Sequence, residues 1–124
     1  MARLEFTPVL HAVSALKDLS VVESDSRSRD YIHTVLNGAA HQDLHAGDRI
    51  LTFLPIFHVG GLNIQTLPAL ACGARVLLHP RFLPEATLTA IEQDRPTLTV
   101  QVPATLQALM QSPRWAELRL DSLR

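Results

Sequence analysis

The sequence predicts an α/β fold built on a partial parallel sheet with flanking helices. Three observations carry this expectation. From Asp30 onward the pattern reads helix, strand, helix, strand, helix, strand, helix, and strands that alternate with helices return to one sheet as parallel neighbours. The run from Ile50 to Ala74 contains no Asp, Glu, Lys or Arg, as expected of a strand and a helix covered on most sides. With 124 residues, 47% hydrophobic and 19% charged, the chain has the length and composition of one globular domain.

Each element has a local reason. Thr7 reads as an N-cap with Pro8 at the first helical position, followed by Val9, Leu10, Val13 and Leu16 at helical spacing. "LSVVE" reads as a short strand, and "SDSRSR", Ser24 to Arg29, as a polar linker without periodicity. Residues 1–29 are therefore set apart as a divergent N-terminal segment from an α/β domain at 30–124. Ile32, Val35, Leu36, Ala39 and Ala40 recur in steps of three and four, which predicts an amphipathic helix. "RILTFL" is a buried strand stopped by Pro55. The segment from Val59 to Cys72 is a buried helix, kinked or broken at Pro68 and closed by Gly73 as a C-cap residue. "ARVLLH" is the second strand. Pro84 opens the helix "PEATLTAIEQD", with Leu88 and Ile91 inward and Glu85 favourable in the first turn. "TLTVQV" is the third strand. Pro103 then starts a helix carrying Leu106, Leu109 and Met110 on one face, and Pro113 stops it.

Composition excludes several functions. A formal net charge of −1 gives no field favouring nucleic acid or an anionic membrane. The charge-free run is long enough to cross a bilayer, but Pro55, His58, Gly60, Gly61, Asn63, Gln65 and Pro68 fall inside it, so no membrane span is expected. Cys72 is the only cysteine, which precludes an intrachain disulfide and points to a reducing, cytoplasmic setting. Its place before Gly73 reads as a small buried thiol rather than a nucleophile. No secretory signal is visible in "MARLEFTPVL". Gly38, Gly47, Gly60, Gly61 and Gly73 form neither a dinucleotide fingerprint nor a P-loop. His41 and His45 stand four apart with Asp43 between them; with no third ligand in view they read as a solvated helix end, and no metal is expected.

His58 is the residue that invites a functional reading. It follows the strand end "FLPIF" and precedes Gly60 and Gly61 at a helix start. One reading is a core histidine whose nitrogens are satisfied by backbone groups. The other is a pocket residue, because ligands of open parallel sheets bind beyond the carboxyl ends of the strands. A histidine there can donate to a developing oxyanion, and two glycines beside it leave volume.

The stretch "DRILTFLPIFHVGGLNIQTLPALACGARVLLHPRF" resembles the central part of AMP-forming acyl-CoA synthetases, in the adenylate-forming superfamily. Pro55, Phe57, His58, Gly61, Gly73, Ala74 and Val76 fit the family pattern, and "FLPEATLTAIEQDRPTLTVQVPATLQALMQSP" resembles its next helix–strand–helix unit. The resemblance runs from about Asp30 to Arg124 and implies a slice of the large N-terminal domain of an adenylate-forming enzyme. Such enzymes activate a carboxylic acid with ATP to an acyl-adenylate and then transfer the acyl group to CoA. The resemblance places His58 beside the carboxylate and makes Gly60, Gly61 and Ile64 liners of the acid's pocket, with small residues at 60 and 61 leaving room for a fatty or aryl acid.

The departures set a further expectation. The family's phosphate loop should lie just before the helix that begins near Tyr31, where this chain has "ESDSRSRD"; residues 1–29 then mark either an internal deletion or an unrelated start. The adenine motif, the ribose-binding aspartate and the small C-terminal domain with its lysine are not found between residues 1 and 124, and Lys17 matches none of them. The expectation is thus a fragment that is inactive alone and retains no cofactor, although ATP, Mg and CoA serve the full-length family. The alternative is a non-catalytic acyl-binding module, or an interaction module that associates with a full-length relative.

Overall fold

A computed structural model describes residues 26–124. The expected helix after Thr7-Pro8, the "LSVVE" strand and the first two linker residues lie outside the described residues.

The first helix, α1, spans Ser26–His41. It takes in Ser26 to Arg29, read above as linker, because nothing in that stretch stops a helix: it has no proline or glycine, and arginine is a good helix former. Val35 and Ala39 form its buried stripe; Leu36 is half-buried and Ala40 exposed. Strand β1, Arg49–Thr52, is shorter than "RILTFL" because the chain turns away before Pro55. The next helix comes in three consecutive parts: α2 at Val59–Gly61, a π-helical turn at Leu62–Thr66, and α3 at Leu67–Cys72. Gly73 ends it as expected, in the left-handed region at φ 83°, where a side chain would be strained. Strand β2 is Arg75–Leu78, helix α4 is Pro84–Asp94, strand β3 is Leu98–Thr99, helix α5 is Pro103–Met110, and a 3-10 turn follows at Pro113–Glu117.

The three strands are parallel in the order β2-β1-β3, with Ile50 opposite Val76 and Leu98. Alternation along the strands splits the core between the two faces of the sheet. Ile50 and Val76, with Leu98 beside them, pack against Ala69 and Leu70 of α3. Leu51 and Leu77 pack against Ala90 and Ile91 of α4. On the first face α1 lies outside α3, where Gly38 meets the Pro68 ring. The third strand is only two residues long rather than "TLTVQV", because the backbone N–H of Val102 already bonds Thr105 Oγ1 at the start of α5. Helix α5 buries Leu109 alone of its expected apolar face; Leu106 is 40% and Met110 56% exposed. The helix packs against α4 and the 3-10 turn.

The amino ends of the strands are tied by Asp48, which is 1% exposed. It accepts hydrogen bonds from His45 N–H, Thr97 Oγ1 and the Arg124 guanidinium at 3.0, 2.6 and 2.8 Å. Burial alone would push its carboxyl up, but Arg124, then Thr97 and the His45 amide, hold it well below the usual carboxylate range. The Arg124 N–H also bonds the Thr97 carbonyl at 3.1 Å.

Candidate functional site

The carboxyl end of the central strand is where this topology places a site. The chain passes from β1 to β2 on one side and returns past β1 to β3 on the other, so the connections diverge at β1 and leave a crevice beyond its end. Past Thr52 the chain runs through "FLPIF". Phe53 is buried and its ring stands 4.9 Å from that of Phe82, tilted by 50°. These rings border an apolar groove of about 520 Å³, lined also by Pro55, Phe57, His79 and Thr105. His79, at the end of β2, is 6% exposed, and its Nε2 has no hydrogen-bond partner. Burial holds its imidazole below the ordinary histidine value, so it is neutral at pH 7. Ile56, Phe57 and Val59 form an exposed apolar rim, Phe57 being 92% exposed.

His58 is exposed, so it is not the core histidine of the first reading. Part of that reading does hold, since its Nδ1 is satisfied by backbone. His58 is the N-cap of α2, extended at φ −117°, ψ 150°, and Nδ1 accepts from the Gly60 N–H at 3.1 Å. An Nδ1 that accepts leaves the proton of a neutral imidazole on Nε2. The cap therefore fixes the tautomer and makes Nε2–H a donor at the carboxyl end of the sheet.

The two glycines differ. A Cβ on Gly60 would meet only His58 Nδ1 at 3.5 Å and Leu54 Cδ1 at 3.7 Å, ordinary contact distances. A Cβ on Gly61 would lie 2.4 Å from both the Leu54 and Pro55 carbonyl oxygens. Gly61 lets the helix start press against the loop, and the volume expected there is already occupied by backbone. Gly60→Ala is accordingly expected to be tolerated and to gain about 0.5 kcal/mol through the unfolded chain; a loss of stability in a denaturation series would contradict the open space at position 60.

Ile64 sits in the π-helical turn with its side chain 46% exposed. The break anticipated at Pro68 takes this form. Leu67 N–H bonds Leu62 O, five residues back, and Thr66 Oγ1 bonds Gly61 O at 2.6 Å. The helix widens there into a π-helical turn. Of the predicted residues, His58 and Gly60 are in direct contact, Gly61 lies under Leu54 and Pro55, and Ile64 follows in the next turn. None of the four lines the groove, although Phe57, next to His58, does.

Sequence reasoning missed two buried polar residues near this end. His79 was read only as the end of a strand. Gln65 is fully buried, with Nε2 on Leu51 O at 3.2 Å and Oε1 unpartnered. A polar residue within the charge-free run was the available signal for Gln65. His41 ends α1 and His45 lies beyond it, its Nδ1 accepting from Gly47 N–H. Among the described residues no three His, Cys, Asp or Glu side chains converge to hold a metal ion, and no helix is long and apolar enough to cross a membrane.

The profile of the family described as "AMP-binding enzyme" matches residues 27–124. An indoleacetate–CoA ligase of Aromatoleum aromaticum is 57% identical over 89 residues, covering 72% of this chain and 18% of that protein. A feruloyl-CoA synthase of Amycolatopsis is 42% identical over 89 residues, with the same coverage of 72% and 18%. Among solved structures, the N-terminal domain of FACL13 from Mycobacterium tuberculosis superposes with a TM-score of 0.68 at 28% identity, covering 76% of this chain and 24% of that one. The chain thus spans less than a fifth of the length of these two ligases.

Proposed function

Because this chain belongs to the family of AMP-binding enzymes, we propose that it is the acid-facing part of an AMP-forming acid–CoA ligase, and that the acid carries an aryl group. The observation that carries the reading is His58. It caps a helix at the carboxyl end of the central strand, and the Gly60 N–H on Nδ1 leaves the proton on Nε2. Nε2–H donates to a carboxylate oxygen, and the same bond persists as that oxygen becomes part of an acyl group. Gly60 supplies open space beside the imidazole, Gly61 supplies backbone, and Ile64 supplies an apolar surface one turn further on. The aryl choice rests on the relatives, whose names specify indoleacetate and ferulate. A cytoplasmic setting is part of the proposal and rests on the single cysteine.

ATP, Mg and CoA are implied for the family's full-length members. We infer that the described residues do not by themselves hold a nucleoside triphosphate and its metal: Gly38, Gly47, Gly60, Gly61 and Gly73 form no phosphate-binding loop, and among the described residues no three His, Cys, Asp or Glu side chains converge. No step of adenylation is therefore assigned to these residues, and the proposal is that they bind the acid without activating it.

Titration calorimetry with indole-3-acetate tests this. The chain is expected to bind, and His58→Ala to weaken binding about tenfold, the size of one hydrogen bond to a charged group. No pyrophosphate exchange is expected with ATP and the acid. Exchange by residues 1–124 alone, or binding indifferent to His58→Ala, would overturn the proposal.

A further inference from the structure

Pro68 creates a defect that another helix repairs. In a regular helix the Ile64 carbonyl would accept from the N–H of residue 68, and proline has none. The Ile64 carbonyl instead accepts from Gln42 Nε2 at 2.6 Å. Gln42 lies just past the end of α1, and its Nε2 also donates to Gly38 O at 3.1 Å. Both Nε2 hydrogens are thereby used. One turn earlier, Gly38 has no side chain where the Pro68 ring comes within 3.3 Å of a Cβ position. The end of α1 and the turn after it thus meet the break twice, with a missing side chain at Gly38 against the ring and the Gln42 amide on the Ile64 carbonyl. The π-helical turn between Gly61 and Leu67 is closed from within by Leu67 N–H on Leu62 O and Thr66 Oγ1 on Gly61 O, and its Ile64 carbonyl is held from outside by Gln42 Nε2.

We propose that Gln42 is a positioning residue for the acid-binding wall: by donating to the Ile64 carbonyl it holds the π-helical turn and so sets where Ile64 stands relative to His58. This rests on the proposed function for the role of Ile64, but not for the geometry of the turn. Gln42 acts through one backbone oxygen, so its removal changes acid selectivity more than stability.

Two variants separate the contact from the fold. Gln42→Met keeps the length and removes the donor; Gln42→Lys keeps a donor that reaches the same carbonyl. Amide hydrogen exchange over residues 59–67 and binding of indole-3-acetate and benzoate are measured on the full chain. In Gln42→Met, exchange in the turn is expected to rise about fivefold, as for one lost hydrogen bond, while exchange at Ile50 and Val76 stays unchanged. The preference for indole-3-acetate over benzoate falls by a similar factor, and Gln42→Lys restores both. Unchanged exchange in the turn with Gln42→Met overturns the proposal, as does faster exchange with an unchanged preference. If the unaltered chain binds neither acid, the proposed function fails and with it the role in the wall, while the exchange result still decides whether Gln42 holds the turn.

Discussion

Replacing Gly61 by alanine is expected to destabilise the sheet by about 3 kcal/mol, at the upper end for forcing atoms into a packed site. The new Cβ would lie 2.4 Å from two carbonyl oxygens, Leu54 O and Pro55 O, and neither can swing aside as a side chain does. Either the loop after β1 or the start of α2 must move. Amide exchange at Ile50, Leu51 and Val76, whose residues lie in the core, reports the loss as a rate increase of roughly a hundredfold. Gly60→Ala, one residue away, is the control and should leave these rates alone or slow them. Equal effects at the two positions would contradict the close approach at Gly61.

The second large effect is expected at Asp48. Asp48→Asn keeps the shape but puts an amide among three donors, the His45 N–H, the Thr97 hydroxyl and the Arg124 guanidinium. A cost of about 2 kcal/mol follows from leaving buried donors unpaired. The pH dependence has a definite sign. The folded carboxyl lies below its ordinary value of 3.8, so its contribution is fully present above that range and is lost as pH falls through the lower folded value. The unaltered chain should therefore lose stability as the pH falls below about 4, and Asp48→Asn should lose less over the same window. A variant with the same acid slope as the parent would show that Asp48 is not held ionised by this cluster.

What the sequence made legible was local. Helix α4 lies at Pro84–Asp94 as expected, since proline at the first position and Leu88 and Ile91 at helical spacing need no distant partner. Gly73 closes its helix for the same reason. The β2-β1-β3 order was not legible, because pairing of Ile50 with Leu98 is decided 48 residues away in the chain. The Asp48 cluster, which draws on Thr97 and Arg124, was hidden likewise. Pro68 announced a break, but its form involves Gln42 from the turn after α1. For α5 the period was correct and the burial was not: the helix buries Leu109 and leaves Leu106 and Met110 exposed. At the site, the position of His58 past a strand end was readable from the pattern. Its cap on Gly60, the tautomer that follows, and the tight fit of Gly61 depend on how the loop after β1 folds back on the helix start, which no local pattern encodes.

The most direct measurement is a titration of the isotope-labelled chain with indole-3-acetate, followed through backbone amide and histidine ring resonances. The account predicts saturable shifts at His58, Gly60, Gly61 and Ile64, including the His58 Nε2 signal, with Asp48 and its partners at the opposite end of the strands unmoved. Shifts confined to other surfaces, or none at saturating acid, would contradict it.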